Sequence, residues 1–88
     1  MLEYPNVNQE IKLMVKIDSK IIILEDGSKW ETSSLRNSDG VSFWFENALV
    51  RITPGRHNKM ITYHLKNLDD NDTVQGVFLG FVDPPKNI

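Results

Sequence analysis

Val, Ile and Thr together number nineteen in this chain, while alanine occurs once, at Ala48. β-Branched residues lose rotamer freedom in a helix and pack well on a pleated surface, so this imbalance commits the 88 residues to strands. The length holds one domain, with a core near the lower limit of what folds without cross-links. Cysteine is absent. Disulfides, zinc ribbons, iron–sulfur ligation and thiol catalysis are excluded together, and burial of apolar side chains has to stabilise the fold.

Alternation locates the strands. From Glu10, Ile11, Leu13, Val15 and Ile17 share one parity and Lys12, Met14 and Lys16 the other, the mark of a half-buried strand. Asp18-Ser19 supplies turn chemistry before Lys20 to Glu25, whose run Ile21-Ile22-Ile23-Leu24 predicts a strand covered on both faces and paired with the first as a hairpin. Asp26-Gly27 then predicts a tight type I′ turn, in which both central residues take positive φ, and Ser28 to Thr32 returns carrying Trp30. Within Ser33 to Gly40 (SSLRNSDG), Ser33 or Ser34 is placed to cap one short helical or 3₁₀ turn; no longer helix is expected.

A fourth strand spans Ala48 to Thr53, with Val50 and Ile52 on one face, and Pro54-Gly55 is expected to end it in a polar loop, PGRHNK. Met60 to Lys66 is amphipathic, with Ile61, Tyr63 and Leu65 on one face. NLDDND (Asn67 to Asp72) is a turn, Thr73 to Leu79 a last strand, and Pro84-Pro85 stops the sheet. The expected division is an N-terminal extension over 1–9, one β-domain over 10–82 and a tail over 83–88. Five or six short strands at this spacing predict a small antiparallel all-β barrel, since closure removes exposed edges. The parity of each strand assigns Ile11, Leu13, Val15, Ile23, Trp30, Val50, Ile52, Tyr63 and Leu65 to its core.

ILEDGSKWE (Ile23 to Glu31), then Trp44 ahead of an alternating strand, then Tyr63-x-Leu65-x-Asn67, resembles a group of small uncharacterised bacterial domains. Their pattern runs D-G-S-x-W, W-x-x-G-D-x-V-x-I and Y-x-L-x-N. Asp26, Gly27, Ser28, Trp30, Trp44, Val50, Ile52, Tyr63, Leu65 and Asn67 fit it, whereas Asn47 replaces its Gly and Ala48 its Asp. Asn tolerates positive φ second only to Gly, which preserves the turn. The resemblance, covering roughly Ile21 to Gly76, implies an SH3-like barrel and, because such domains often carry export signals, a periplasmic or secreted setting. It brings no activity with it. Residues 1–10 have neither a basic nor an apolar leader region, so the sequence as it stands suits the cytoplasm, and only a removed signal peptide would move it outside.

Function classes narrow by chemistry. Ten Lys and Arg against twelve Asp and Glu give a net charge of −2, which argues against a chain built to neutralise phosphate. No apolar run approaches the ~18 residues of a membrane helix. His57 and His64, the two imidazoles, have no Ser or Cys nucleophile beside them in sequence and read as surface residues. The acids Asp69, Asp70 and Asp72 lack the Gly and the bidentate Glu of a calcium loop and read as a solvated turn. No enzyme activity, metal or cofactor is expected. Two readings remain. Phe43, Trp44 and Phe45 form an aromatic run that cannot all point one way if extended, so at least one ring is expected on the surface against a protein partner or a second copy, with Arg51 and His64 outside that contact. The alternative is a nucleic-acid-binding barrel using Arg51, Arg56, Lys59, His64 and Lys66, although Tyr63 has core parity and the remaining acids offset the local charge.

Overall fold

The computed structural model describes residues 3–18, 20–34, 41–57 and 60–82, without the side chains of 34, 56, 57, 60 and 61. Six strands, β1 (Glu10–Lys16), β2 (Ile21–Leu24), β3 (Ser28–Ser34), β4 (Leu49–His57), β5 (Met60–Asn67) and β6 (Asp72–Phe81), close into an antiparallel barrel in the order β1-β2-β3-β6-β5-β4. Ser33 and Ser34 therefore do not cap a helical turn; they pair with Gln75 and Val74 in the β3–β6 ladder. The rest of that expected turn, 35–40, lies outside the described residues, as does the tail from 83 onward.

Leu13, Ile22, Leu24, Trp30, Val50, Ile52, Tyr63, Leu65, Val74 and Phe78 fill the barrel, joined by Tyr4 from the segment ahead of β1 and by Val41 and Trp44 from the β3–β4 connection. Two core assignments change along β1: Ile11 is half-buried and packs against the cluster from outside it, and Val15 does not join it. The register shifts between Leu13 and Val15, so the alternation slips there, leaving Val15 half-buried and Ile17 exposed. In β2 it is Ile22 and Leu24 that enter the central cluster; Ile23 takes the opposite parity and is covered as well, as a strand shielded on both faces requires.

The β2–β3 turn is also of a different kind. Ile23 pairs with Lys29, which leaves Glu25, Asp26 and Gly27 as a three-residue loop, and the Gly27 N–H donates to the Leu24 carbonyl at 2.9 Å. Gly27 takes positive φ (88°) as expected, but Asp26 does not, so this is not the two-residue type I′ turn. The Asp26 carboxylate accepts from the Ser28 N–H at 3.0 Å, holding the loop in its wider form.

Pro54-Gly55 does not end β4. The strand runs on to His57, opposite Met60 of β5. β1 pairs with β4 only over Glu10–Lys12, and the last contact on that edge is the Asn8 N–H on the Ile52 carbonyl at 2.6 Å. Alternation puts the Pro54 nitrogen on the same edge, beyond β1, where its missing donor breaks no ladder bond. Gly55 is likewise used rather than disruptive. The His64 imidazole lies across it, so close that a Cβ there would stand 2.9 Å from His64 Cε1.

Strand directions place the β2–β3 turn, the end of β6 and the N-terminal segment at one end of the barrel. The 41–48 connection and the β5–β6 turn lie at the other.

Candidate functional site

The aromatic run sits on two consecutive reverse turns. The Trp44 N–H donates to the Val41 carbonyl (3.0 Å) and the Ala48 N–H to the Phe45 carbonyl (3.2 Å), so the chain here is folded back rather than extended. Trp44 turns inward, 1 % exposed, and its indole N–H donates to Asp72 Oδ2 at 2.9 Å. Phe43 and Phe45 turn outward, 69 % and 76 % exposed. The surface component of the run is thus this pair, and Trp44 is its buried fastening.

The turns are tied to β1 by hydrogen bonds. The Asn47 N–H donates to the Leu13 carbonyl (2.7 Å), the Leu13 N–H to the Ala48 carbonyl (2.9 Å), and Lys16 Nζ to the Ser42 carbonyl (2.9 Å). Asn47 takes φ 71°, the left-handed conformation that the replacement of Gly by Asn was expected to permit. Beside this loop, Asn67 ends β5 with its side chain buried and its Oδ1 accepting the Asp69 and Asp70 N–H groups at 2.9 and 3.2 Å. The NLDDND stretch is a hairpin turn, and among the described residues no three His, Cys, Asp or Glu side chains are grouped to hold a metal ion.

At the far end, the residues of D-G-S-x-W form one hydrogen-bonded chain. The Trp30 indole donates to Ser28 Oγ (2.9 Å), Ser28 Oγ to Asp26 Oδ1 (2.6 Å), and the Tyr4 hydroxyl and Asn6 Nδ2 (3.2 Å) to Asp26 Oδ2. Burial raises the pKa of the Asp26 carboxyl, but the bonds from Ser28, Tyr4 and Asn6 outweigh it and hold the group below its ordinary range. Desolvation, reinforced by the neighbouring Asp26 carboxylate, pushes the Tyr4 phenol well above its ordinary value. Tyr63 belongs to the same assembly, its hydroxyl oxygen accepting the Tyr4 N–H at 2.8 Å. Periodicity gave no sign of Tyr4, because a short polar segment outside every strand has no repeat to read. The available signal was that the only aromatic in residues 1–10 has no local core and must dock elsewhere.

The cationic alternative is distributed along the barrel wall. Arg51 and Lys66 are exposed and opposite each other on β4 and β5, but Arg51 Nη2 is 2.5 Å from Glu10 Oε2, which offsets its charge. His64 is half-buried over Gly55, and Tyr63 faces the core. The Arg56 side chain and Lys59 lie outside the described residues. No described helix is long and apolar enough to cross a membrane. No family model, no curated protein and no solved structure matches the chain.

Proposed function

We propose that the protein is a non-catalytic interaction module on an SH3-like barrel of the bacterial type it resembles, presenting Phe43 and Phe45 to a protein partner or to a second copy of itself. The observation that carries this reading is the exposure of two large rings on turns whose backbone and Trp44 anchor are already fixed. A backbone fixed before binding loses little conformational freedom on docking, and aromatic anchors supply much of the energy of protein interfaces. Neither ring makes a described aromatic contact with the core, so their exposure contributes little to folding.

Light scattering over a concentration series, with wild type and a Phe43→Ser/Phe45→Ser double variant, tests the homo-oligomer. Capture of partners on immobilised chain tests the heterologous case. The double variant is expected to unfold within about 0.5 kcal/mol of wild type, as surface substitutions do, while losing association by about 2 kcal/mol or more. A wild type that stays monomeric and captures nothing that the double variant does not would overturn the reading. The nucleic-acid alternative rests on Arg51 and Lys66, adjacent on the wall of β4 and β5. It is separated by titrating single-stranded DNA at rising salt, since phosphate contacts weaken steeply and an aromatic interface does not.

A further inference from the structure

Residues 3–8 belong to no strand, yet they are fastened to the barrel much as a bound peptide is fastened to its receptor. One side chain, Tyr4, is deeply buried, at 4 % exposure, while Glu3, Pro5 and Asn8 are exposed. The Tyr4 ring stands edge-on to Trp30 (centroids 5.0 Å apart), Phe78 (5.2 Å) and Tyr63 (6.2 Å), and tilted over Phe81 (6.2 Å). Its hydroxyl donates to the Asp26 carboxylate and its backbone N–H to the Tyr63 hydroxyl. Each polar atom of this residue that enters the barrel end has a partner of the opposite kind.

The walls of this cradle also pack on one another. Trp30 packs on Tyr63 and Phe78 at 5.3 and 5.2 Å, and Phe78 on Phe81 at 5.2 Å, all carried by β3, β5 and β6. Ser28 holds Asp26 from the other side through two hydrogen bonds. Asp26 also borders an open groove of about 410 Å³ with Glu10, Ile11, Lys12, Glu25 and Leu49.

We propose that this end of the barrel is a recognition site for a tyrosyl side chain, filled in cis by Tyr4 and opened to a tyrosine of another chain when residues 3–8 leave. The aromatic walls select a flat ring, and the Asp26 carboxylate selects a ring that carries a hydroxyl donor. Asn8, with φ 67° and its N–H on Ile52, marks where the segment joins the barrel frame. The site lies at the opposite end from Phe43 and Phe45 and is independent of them.

The test uses the full chain carrying Tyr4→Ala, with p-cresol and toluene as probes, followed by amide chemical shifts and by the thermal midpoint. The folded variant is expected to bind p-cresol saturably and to gain thermal stability from it. Toluene, which cannot donate to Asp26, is expected to bind about ten-fold more weakly, and wild type not at all at the same concentrations. Absence of saturable p-cresol binding, equal binding by wild type, or equal affinity for toluene would each overturn the proposal. Should Tyr4→Ala fail to fold, amide hydrogen exchange of wild type decides. The Tyr4 amide is expected to exchange at least about ten-fold faster than those of Leu13 and Thr32, bonded to Ala48 and Lys20, because the segment opens locally. Equal rates would mean that it leaves only on global unfolding, and the site would never open in the native protein.

Discussion

Replacing Asp26 by Asn tests the polar chain at the closed end of the barrel with one atom of change. The carboxylate accepts four hydrogen bonds, from the Ser28 N–H and hydroxyl on Oδ1 and from Tyr4 and Asn6 on Oδ2. An amide can keep the first pair through its oxygen but turns an N–H₂ toward the other two donors, so Asn6 loses its acceptor and Tyr4 must reverse its bond. Hydrogen bonds to a charged group are worth about 1.5–3 kcal/mol each, and two are disturbed. Asp26 is only half-buried, so solvent recovers part of the loss, and about 2 kcal/mol is expected at neutral pH. In a domain of this size that lowers the thermal midpoint by about 8–16 °C. The pH dependence supplies a second, independent readout. The folded-state pKa of Asp26 is depressed, so its contribution is present above the unfolded value near 3.8 and is lost as the pH falls through the folded value. Urea unfolding followed by tryptophan fluorescence should therefore show a gap between wild type and Asp26→Asn that is widest near pH 7 and narrows below about pH 4. A gap absent at pH 7, or one that stays constant into acid, would show that the Asp26 carboxylate does not hold this end together.

Tyr4→Phe is expected to act at the other extreme of pH. The folded pKa of Tyr4 is raised, so its contribution is complete below the unfolded value of 10.0 and is lost as the pH rises above it; the variant should lack that alkaline loss, as a pH series of denaturation midpoints will show. Gly27→Val should cost about 2–3 kcal/mol, because φ there is 88° and a Cβ would stand 2.8 Å from the carbonyl oxygen of Val82, a residue held beside Gly27 by its own N–H on the Gly27 carbonyl at 2.8 Å; an unchanged denaturation midpoint would refute the turn geometry. At Asn47, φ 71°, Ala should cost about 1 kcal/mol and Gly close to nothing, and equal midpoints for the two variants would show that the left-handed turn does not matter to the loop.

Local periodicity and turn chemistry determined the strand-rich class, the six strands to within a few residues and most of the core. Alternation depends only on which neighbours point the same way, and Leu13, Val50, Ile52, Tyr63 and Leu65 are buried as that rule requires. Part of the aromatic run is outward as expected, but the extended chain that expectation assumed is absent: two reverse turns over 41–48 put Trp44 inside and Phe43 and Phe45 outside. What alternation cannot register is an edge. Whether Pro54 ends β4 depends on where β1 stops beside it, and the shift between Leu13 and Val15 depends on how β2 lies against β1, so both were settled by pairing. The same holds for the motif residues. Asp26, Ser28 and Trp30 stand close in sequence, but the donors that complete their network, the Tyr4 hydroxyl and Asn6, arrive from a segment some twenty residues away that has no repeat of its own. Barrel closure brings that segment to the Asp26 end and the 41–48 turns to the other, which is why two separate candidate sites exist only in the folded chain.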